Sequence, residues 1–180
     1  AGQAGAAGVT VGVSVNCITL HGPTEVKVQS DITSAKDIRI KAENNVNLGK
    51  LSSFGGNAGL YAAACGAVLY TDVSSDNSAA ASGTIKSLNK GSLYINADQV
   101  VRTTNDGNFV AVVPSVAVGG AVGAPVAILY VHASNAASST GTVTDVADIN
   151  ITADTKMELS TEAVGFVVGF AGGAGVAVVK

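Results

Sequence analysis

One eight-residue phrase returns three times in the chain, as KDIRIKAE (36–43), GSLYINAD (91–98) and ADINITAD (147–154). Its starts at positions 36, 91 and 147 set a nearly constant step of about 55 residues, the mark of a repeat architecture. Read as a β-strand, the phrase sends Ile38, Ile40 and Ala42 to one face and Asp37, Arg39, Lys41 and Glu43 to the other. The second copy puts Leu93, Ile95 and Ala97 inward, and the third Ile149, Ile151 and Ala153. A single strand of this kind cannot bury its apolar face, so the copies have to stack on one another. Glu43, Asp98 and Asp154 then mark the strand's exit to solvent.

Between the phrases lie four uncharged tracts, at 1–20, 54–71, 107–131 and 163–179. Their composition decides what they can form. Charged residues make up 13% of the chain, aromatics 4% with no Trp, and there are 22 Gly. An interior filled from Ala, Val, Ile and Gly is narrow, which points to stacked thin layers. By length alone the tract at 107–131 is a transmembrane-helix candidate. Alternation such as Val9, Val11, Val13, Val15 and the interspersed glycines instead favour pleated sheet, and the tracts lack Lys/Arg flanks and Trp/Tyr belts at their ends. An amphipathic helix over 163–179 is a further alternative. Gly165, Gly169, Gly172, Gly173 and Gly175 each oppose it by about 1 kcal/mol relative to Ala.

The tracts recur in phase with the phrase. AAGVTV (6–11) and GAGVAV (173–178) are separated by close to three steps, and GAVLYTDVSSDNSAAASGTI (66–85) can be laid against APVAILYVHASNAASSTGTV (124–143). That alignment sets Tyr70 on Tyr130 and Gly83-Thr84 near Gly141-Thr142, with offsets drifting between 55 and 60. Short insertions in outer loops absorb such drift. The expected fold is all-β, a parallel β-helix (β-solenoid) built from units of about 55 residues. Approximate boundaries are 1–53, 54–106 and 107–161, with a partial unit at 162–180. Strand-like pieces around 24–28, 37–42, 46–51, 59–70, 83–88 and 92–104 suggest two to three coils per unit. The opening AGQAGAAG, without an initiator Met, and the close at Lys180 in mid-pattern lead us to expect a processed product or a window on a longer polypeptide.

GSLYINAD or ADINITAD followed by a tract such as VGFVVGFAGGAGVAVV or AGAAGVTVGVSVN resembles the repeats of large leukotoxin-like filamentous adhesins, relatives of the filamentous haemagglutinins. The likeness covers nearly the whole chain. It implies a long bacterial protein exported by two-partner secretion through an outer-membrane partner. Its passenger would be a right-handed parallel β-helix displayed at the cell surface or released, serving adhesion, cytotoxicity or fibre formation. The repeat length departs from the haemagglutinin pattern, and the family's repeats offer no catalytic motif to match.

The chemistry available from the residues themselves is sparse. A net charge of −3 supplies no basic stripe for a nucleic-acid backbone. His21 and His132 have no Cys or His at ligand spacing and read as solvated loop residues, and Cys17 and Cys65 read as buried free thiols. No Gly-Gly-x-Gly-x-Asp calcium turn, G-x-S-x-G elbow or phosphate loop is present, and Asn105-Asp106-Gly107 reads as a turn. Asp145, Asp148, Asp154 and Glu158 form the one acidic cluster that could serve a glycan-active enzyme, and they read as a solvated polar face. Thr84 and Thr142 recur, but the first unit breaks the ladder that an ice-binding surface needs.

The expectation is therefore a structural or adhesive segment of a secreted surface filament, extracellular, with no catalytic, cofactor-binding or metal residues. Its partners would be a host or neighbouring-cell surface, through glycan or protein, or further copies of itself. The alternatives are a β-solenoid lyase or hydrolase and a membrane-spanning protein.

Overall fold

The structure, a computed structural model, describes residues 2–4, 8–103 and 109–179. It is all-β with parallel strands in four stacked sheets, and the described residues contain no helix. Sheet A contains β1 (Gly2–Ala4), β5 (Ser52–Phe54), β6 (Gly56–Gly59), β10 (Phe109–Ala117) and β14 (Thr161–Gly169). Sheet B holds the long strands β2 (Val9–Val28), β7 (Ala62–Ala81) and β11 (Gly120–Ser139), and then β15 (Gly172–Gly175) and β16 (Val178–Val179). Sheet C is β3 (Ile32–Ser34), β8 (Ile85–Ser87) and β12 (Val143–Thr144), and sheet D is β4 (Ile38–Leu48), β9 (Leu93–Thr103) and β13 (Ile149–Glu158). The chain visits A, B, C and D in turn and then begins again one layer further on.

The repeated phrase pairs with itself. Ile38, Leu93 and Ile149 lie opposite one another, as do Ile40, Ile95 and Ile151, then Ala42, Ala97 and Ala153, and finally Glu43, Asp98 and Asp154. Each unit thus supplies one layer to every sheet, which corrects the expectation of two to three coils per unit. A 20-residue strand such as β7 is far longer than the usual five or six residues and runs well past the piece expected at 59–70, while β4 joins the pieces expected around 37–42 and 46–51 into one strand.

Length differences are absorbed at the corners. In sheet B the layers align Val9, Ala62 and Gly120, in sheet C Ile32, Ile85 and Val143, and in sheet D Ile38, Leu93 and Ile149. The first interval is shorter than the second in all three sheets, and the difference is smallest in sheet D. Register in sheet B carries Val9 on through Ala62 and Gly120 to Gly172, correcting the match of AAGVTV to GAGVAV by four positions. Tyr70 faces Ile128, and Tyr130 faces Asp72, two positions from the expected match. Gly83-Thr84 and Gly141-Thr142 do occupy equivalent corners, where the Ile32 and Ile85 N–H groups donate to the Thr84 and Thr142 carbonyls at 2.8 Å. A Cβ on Gly83 would collide with the Ser30 carbonyl, and one on Gly141 with the Gly83 carbonyl, so the corners close only on glycine.

Two acids tie corners together across layers. Asp31 accepts the Thr84 N–H at 2.7 Å and Asp37 the Ser92 N–H at 2.9 Å. The Thr84 bonds hold the Asp31 carboxyl below its ordinary 3.8. That contribution is present above the ordinary value and is lost as pH falls through the lowered one.

The core has two compartments. Sheet D, sheet C and the second half of sheet B enclose Ile38, Ile40, Ile85, Leu93, Ile95, Ala79 and Ala97. Sheet A and the first half of sheet B enclose a thinner interior of Cys65, Ala67, Leu69, Ala111, Val113 and Ala127. The segment 163–179 lies in β14, β15 and β16, so the helix alternative is set aside; the sheet tolerates glycines that a helix would not. Among the described residues no helix is long and apolar enough to cross a membrane.

Because layers are equivalent in sequence but not in burial, the cost of truncation should depend on the layer. Ile95→Ala, in the central strand and wholly buried, is expected to cost about 2–5 kcal/mol in urea unfolding. Ile151→Ala removes the same atoms from an edge strand, where the side chain is 41% exposed, and should cost less than half as much.

Candidate functional site

Sheets B and D are joined through the interior by asparagines that neither the phrase nor the tracts announce. Asn77, almost wholly buried, points its Nδ2 at the Asp98 carbonyl at 2.9 Å, the Ala42 carbonyl at 3.4 Å and Asn135 Oδ1 at 3.2 Å. Asn135 Nδ2 donates to the Ala97 carbonyl at 2.9 Å and to that of Asp154 at 2.7 Å. Each amide thereby bridges two successive layers of sheet D at the alanine and acid that end the repeated phrase. Beside them, Gln99 Nε2 donates to Ser75 through both its carbonyl and its hydroxyl at 2.8 Å. A signal for the pair exists in the sequence, since Asn77 and Asn135 recur at close to the unit length and share one register row of the long strands.

The outer face of sheet D is polar. Arg39 lies over the Tyr94 ring, its Cζ 5.0 Å from the centroid, a cation–π contact. Lys41 Nζ sits between Glu43 at 3.1 Å and Asp98 at 3.0 Å, separating two acids that in-register stacking brings together. Hydrogen bonds to Asp98 and Glu43 raise the lysine's pKa. Arg39, Ile40, Lys41, Tyr94 and Asn96 line a shallow depression of about 290 Å³. Its cations and amide can donate hydrogen bonds to hydroxyl or carboxylate groups of a ligand, and its aromatic ring adds an apolar wall.

The acids considered for catalysis are not brought to one point. Asp145, in a left-handed turn, pairs with Lys86 at 3.5 Å, while Glu158 pairs with Lys156 at 2.7 Å, which lowers its pKa. Asp148 contributes its carbonyl to the Leu93 N–H, and Asp154 its carbonyl to Asn135. Among the described residues no group of three or more His, Cys, Asp or Glu could hold a metal. His21 and His132 lie in strands rather than loops, exposed, in the register row that Ser74 occupies between them. Asn105-Asp106-Gly107 falls outside the described residues.

Both cysteines are free, but only Cys65 is buried, and burial pushes its thiol pKa up. Cys17 is exposed, because it takes the outward parity of edge strand β2 in the Tyr70 row.

The thin compartment is inverted in polarity. Strand parity sends Thr10, Ser14 and Asn16 inward, where they bond to the Ala58 carbonyl, the Ser53 hydroxyl and the Ser52 carbonyl of sheet A. The same parity sends Val9, Val11, Val13 and Val15 outward, at 58–71% exposure. On sheet A, Ala111, Val113, Ser115 and Ala117 face in, while Val112, Pro114, Val116 and Val118 face out. In the next layer Val164, Phe166, Val168 and Phe170 continue that outer face. Apart from Leu69 and Val113, small residues fill this interior, while the aromatic rings and most of the valines lie on its surface. The turn joining the two sheets carries Leu60, Tyr61, Val118 and Phe170, all exposed.

No protein-family model, curated protein or solved structure matches the chain.

Two measurements check this arrangement. Asn77→Ala removes the bonds to the Ala42 and Asp98 carbonyls that tie sheet B to sheet D and should cost about 1–3 kcal/mol, whereas the outward Asn45→Ala should stay within about 0.5 kcal/mol. In the folded protein a maleimide should label Cys17 within minutes, and Cys65 only after denaturant is added; equal rates would contradict the assigned strand parity.

Proposed function

We propose that the chain is a segment of a secreted bacterial surface filament or adhesin stalk, a right-handed parallel β-helix with one coil per unit. The observation that supports it best is the self-pairing register: each unit stacks on its predecessor through every sheet, so extension requires only another copy of the same unit. The ends of the stack support the same reading. Ile149 and Ile151 point along the inward rows of Leu93 and Ile95, yet they are 56% and 41% exposed because β13 is the outermost strand of sheet D among the described residues. A further coil would bury them, whether supplied by the same polypeptide or by a second copy. Adhesion would fall to the polar face of sheet D, where Arg39, Lys41, Tyr94 and Asn96 offer donors and a ring to glycan or protein surfaces. Export through an outer-membrane partner follows from the family resemblance of the repeats.

Negative-stain electron microscopy of the purified chain tests the proposal. Narrow rods that lengthen with protein concentration are expected, and the double variant Ile149→Lys, Ile151→Lys, which places charge on the stacking edge, should keep them short. Compact particles of one size at all concentrations would rule out assembly. For adhesion, Arg39→Ala combined with Tyr94→Ala should lower retention on mammalian cells at least several-fold, with circular dichroism unchanged.

A further inference from the structure

We infer that the thin edge of the molecule, formed by sheet A, the first half of sheet B and the turn between them, is a wedge that inserts into the hydrocarbon of a lipid bilayer. Both outer faces of this edge are apolar, and so is the turn. On sheet B the outward positions from Ala62 to Val68 and from Gly120 to Ile128 carry no polar side chain. On sheet A the same holds from Val112 to Val118 and in the rows that Phe54, Val164, Phe166 and Val168 continue, while Ser52 and Glu162, beside Val110, place polar groups at the base. Nine residues of strand extend about 30 Å, the depth of a bilayer's hydrocarbon core.

Aromatic hydroxyls bracket that depth. Tyr61 stands at the tip, 67% exposed, and Tyr70 and Tyr130 meet at the base with ring centroids 5.8 Å apart. Beyond them the outward row turns to Asp72 and Asp76. Tyrosines at both limits of an apolar zone suit the two interfaces of a membrane, where a ring is buried and its hydroxyl stays wet. These belts are hidden in the linear sequence, because Tyr61 and Tyr70 begin and end one stretch of strand and Tyr130 lies in the next layer.

The backbone at the tip is ready for a dry environment. The Tyr61 N–H donates to the Gly8 carbonyl at 3.2 Å, Gly120 to Tyr61 at 3.1 Å, and Ala171 to Gly119 at 3.1 Å. The turns are therefore hydrogen-bonded layer to layer, which lipid contact demands of any backbone within its reach. The outermost strands of the stack carry a free hydrogen-bonding edge, which a further layer would cover.

A second copy of the chain is the competing occupant. Four strands, each about 30 Å long and about 4.8 Å apart, make a face of roughly 600 Å², so a face-to-face pair would bury roughly 1,200 Å², the lower limit of a stable interface. Such a pair leaves the opposite face and the tip in water. One bilayer covers all three surfaces at once.

Flotation with neutral phosphatidylcholine vesicles tests the inference, with a polarity-sensitive nitrobenzoxadiazole dye on Cys17, at the base of the wedge, as a readout independent of any folding defect. The folded chain should float, unaffected by 0.5 M salt, and the dye emission should shift to the blue. Val11→Asp with Phe166→Asp should cut the floating fraction at least tenfold, while Lys36→Glu, at a corner away from the wedge, leaves it unchanged. Failure to float, an unshifted dye, or binding that salt or Lys36→Glu abolishes would overturn insertion. Oligomers without flotation, dispersed by Val11→Asp, would assign the faces to a second copy. Insertion stands apart from the filament reading: fibres without flotation sink insertion alone, and flotation without fibres sinks the filament alone.

Discussion

Everything in this molecule depends on parallel, in-register hydrogen bonding between one unit and the next. A parallel ladder sets like residues beside like, about 4.8 Å apart, so each position has to tolerate its own copies. Isoleucine on isoleucine and alanine on alanine do so by packing. Asparagine on asparagine does so by bonding, because Asn77 supplies donors both to its neighbour Asn135 and to the facing sheet. Acid on acid does not, and Lys41 answers the repulsion between Glu43 and Asp98 from the adjacent outward row. The sparse use of charge across the chain follows from the same constraint.

How much of this is legible in the sequence differs between the two compartments. The phrase alternates bulky apolar and polar residues, so the inward face of sheet D could be named residue by residue: Ile38, Ile40, Ala42 and their copies in the second layer do line the core. The tracts offer no such contrast. In VTVGVSVN, valine alternates with Thr, Gly and Ser, and hydrophobicity alone would turn the valines inward, whereas the fold turns them out and points the small polar residues toward sheet A. Alternation sets parity but not its sign. The sign comes from the gap between facing sheets, about 10 Å in packed sheets and best filled here by small side chains. The number of layers per unit was hidden for a related reason. Pro125 and the glycines within the long strands look like breaks, yet their pairing continues unbroken from Gly120 to Ser139.

The two compartments also divide labour. One has a bulky aliphatic interior beneath a polar skin, as in any water-soluble sheet protein. The other has a thin interior beneath an apolar skin, so water is a poor solvent for it and burial must come from outside. A single layer thereby presents opposite solvent preferences at its two ends, and in-register pairing repeats both from layer to layer without mixing them.

The corners carry a consequence for descent. Val9, Ala62, Gly120 and Gly172 share one row of a long sheet although the lengths of chain between them are unequal, because residues gained or lost at a bend leave the strands on either side in register. Recombination between copies can therefore be imprecise, by several residues at a corner, and still yield a gene whose product pairs correctly. A chain of this design can lengthen, shorten or acquire a decorated loop in one genetic event, without any interior side chain having to change.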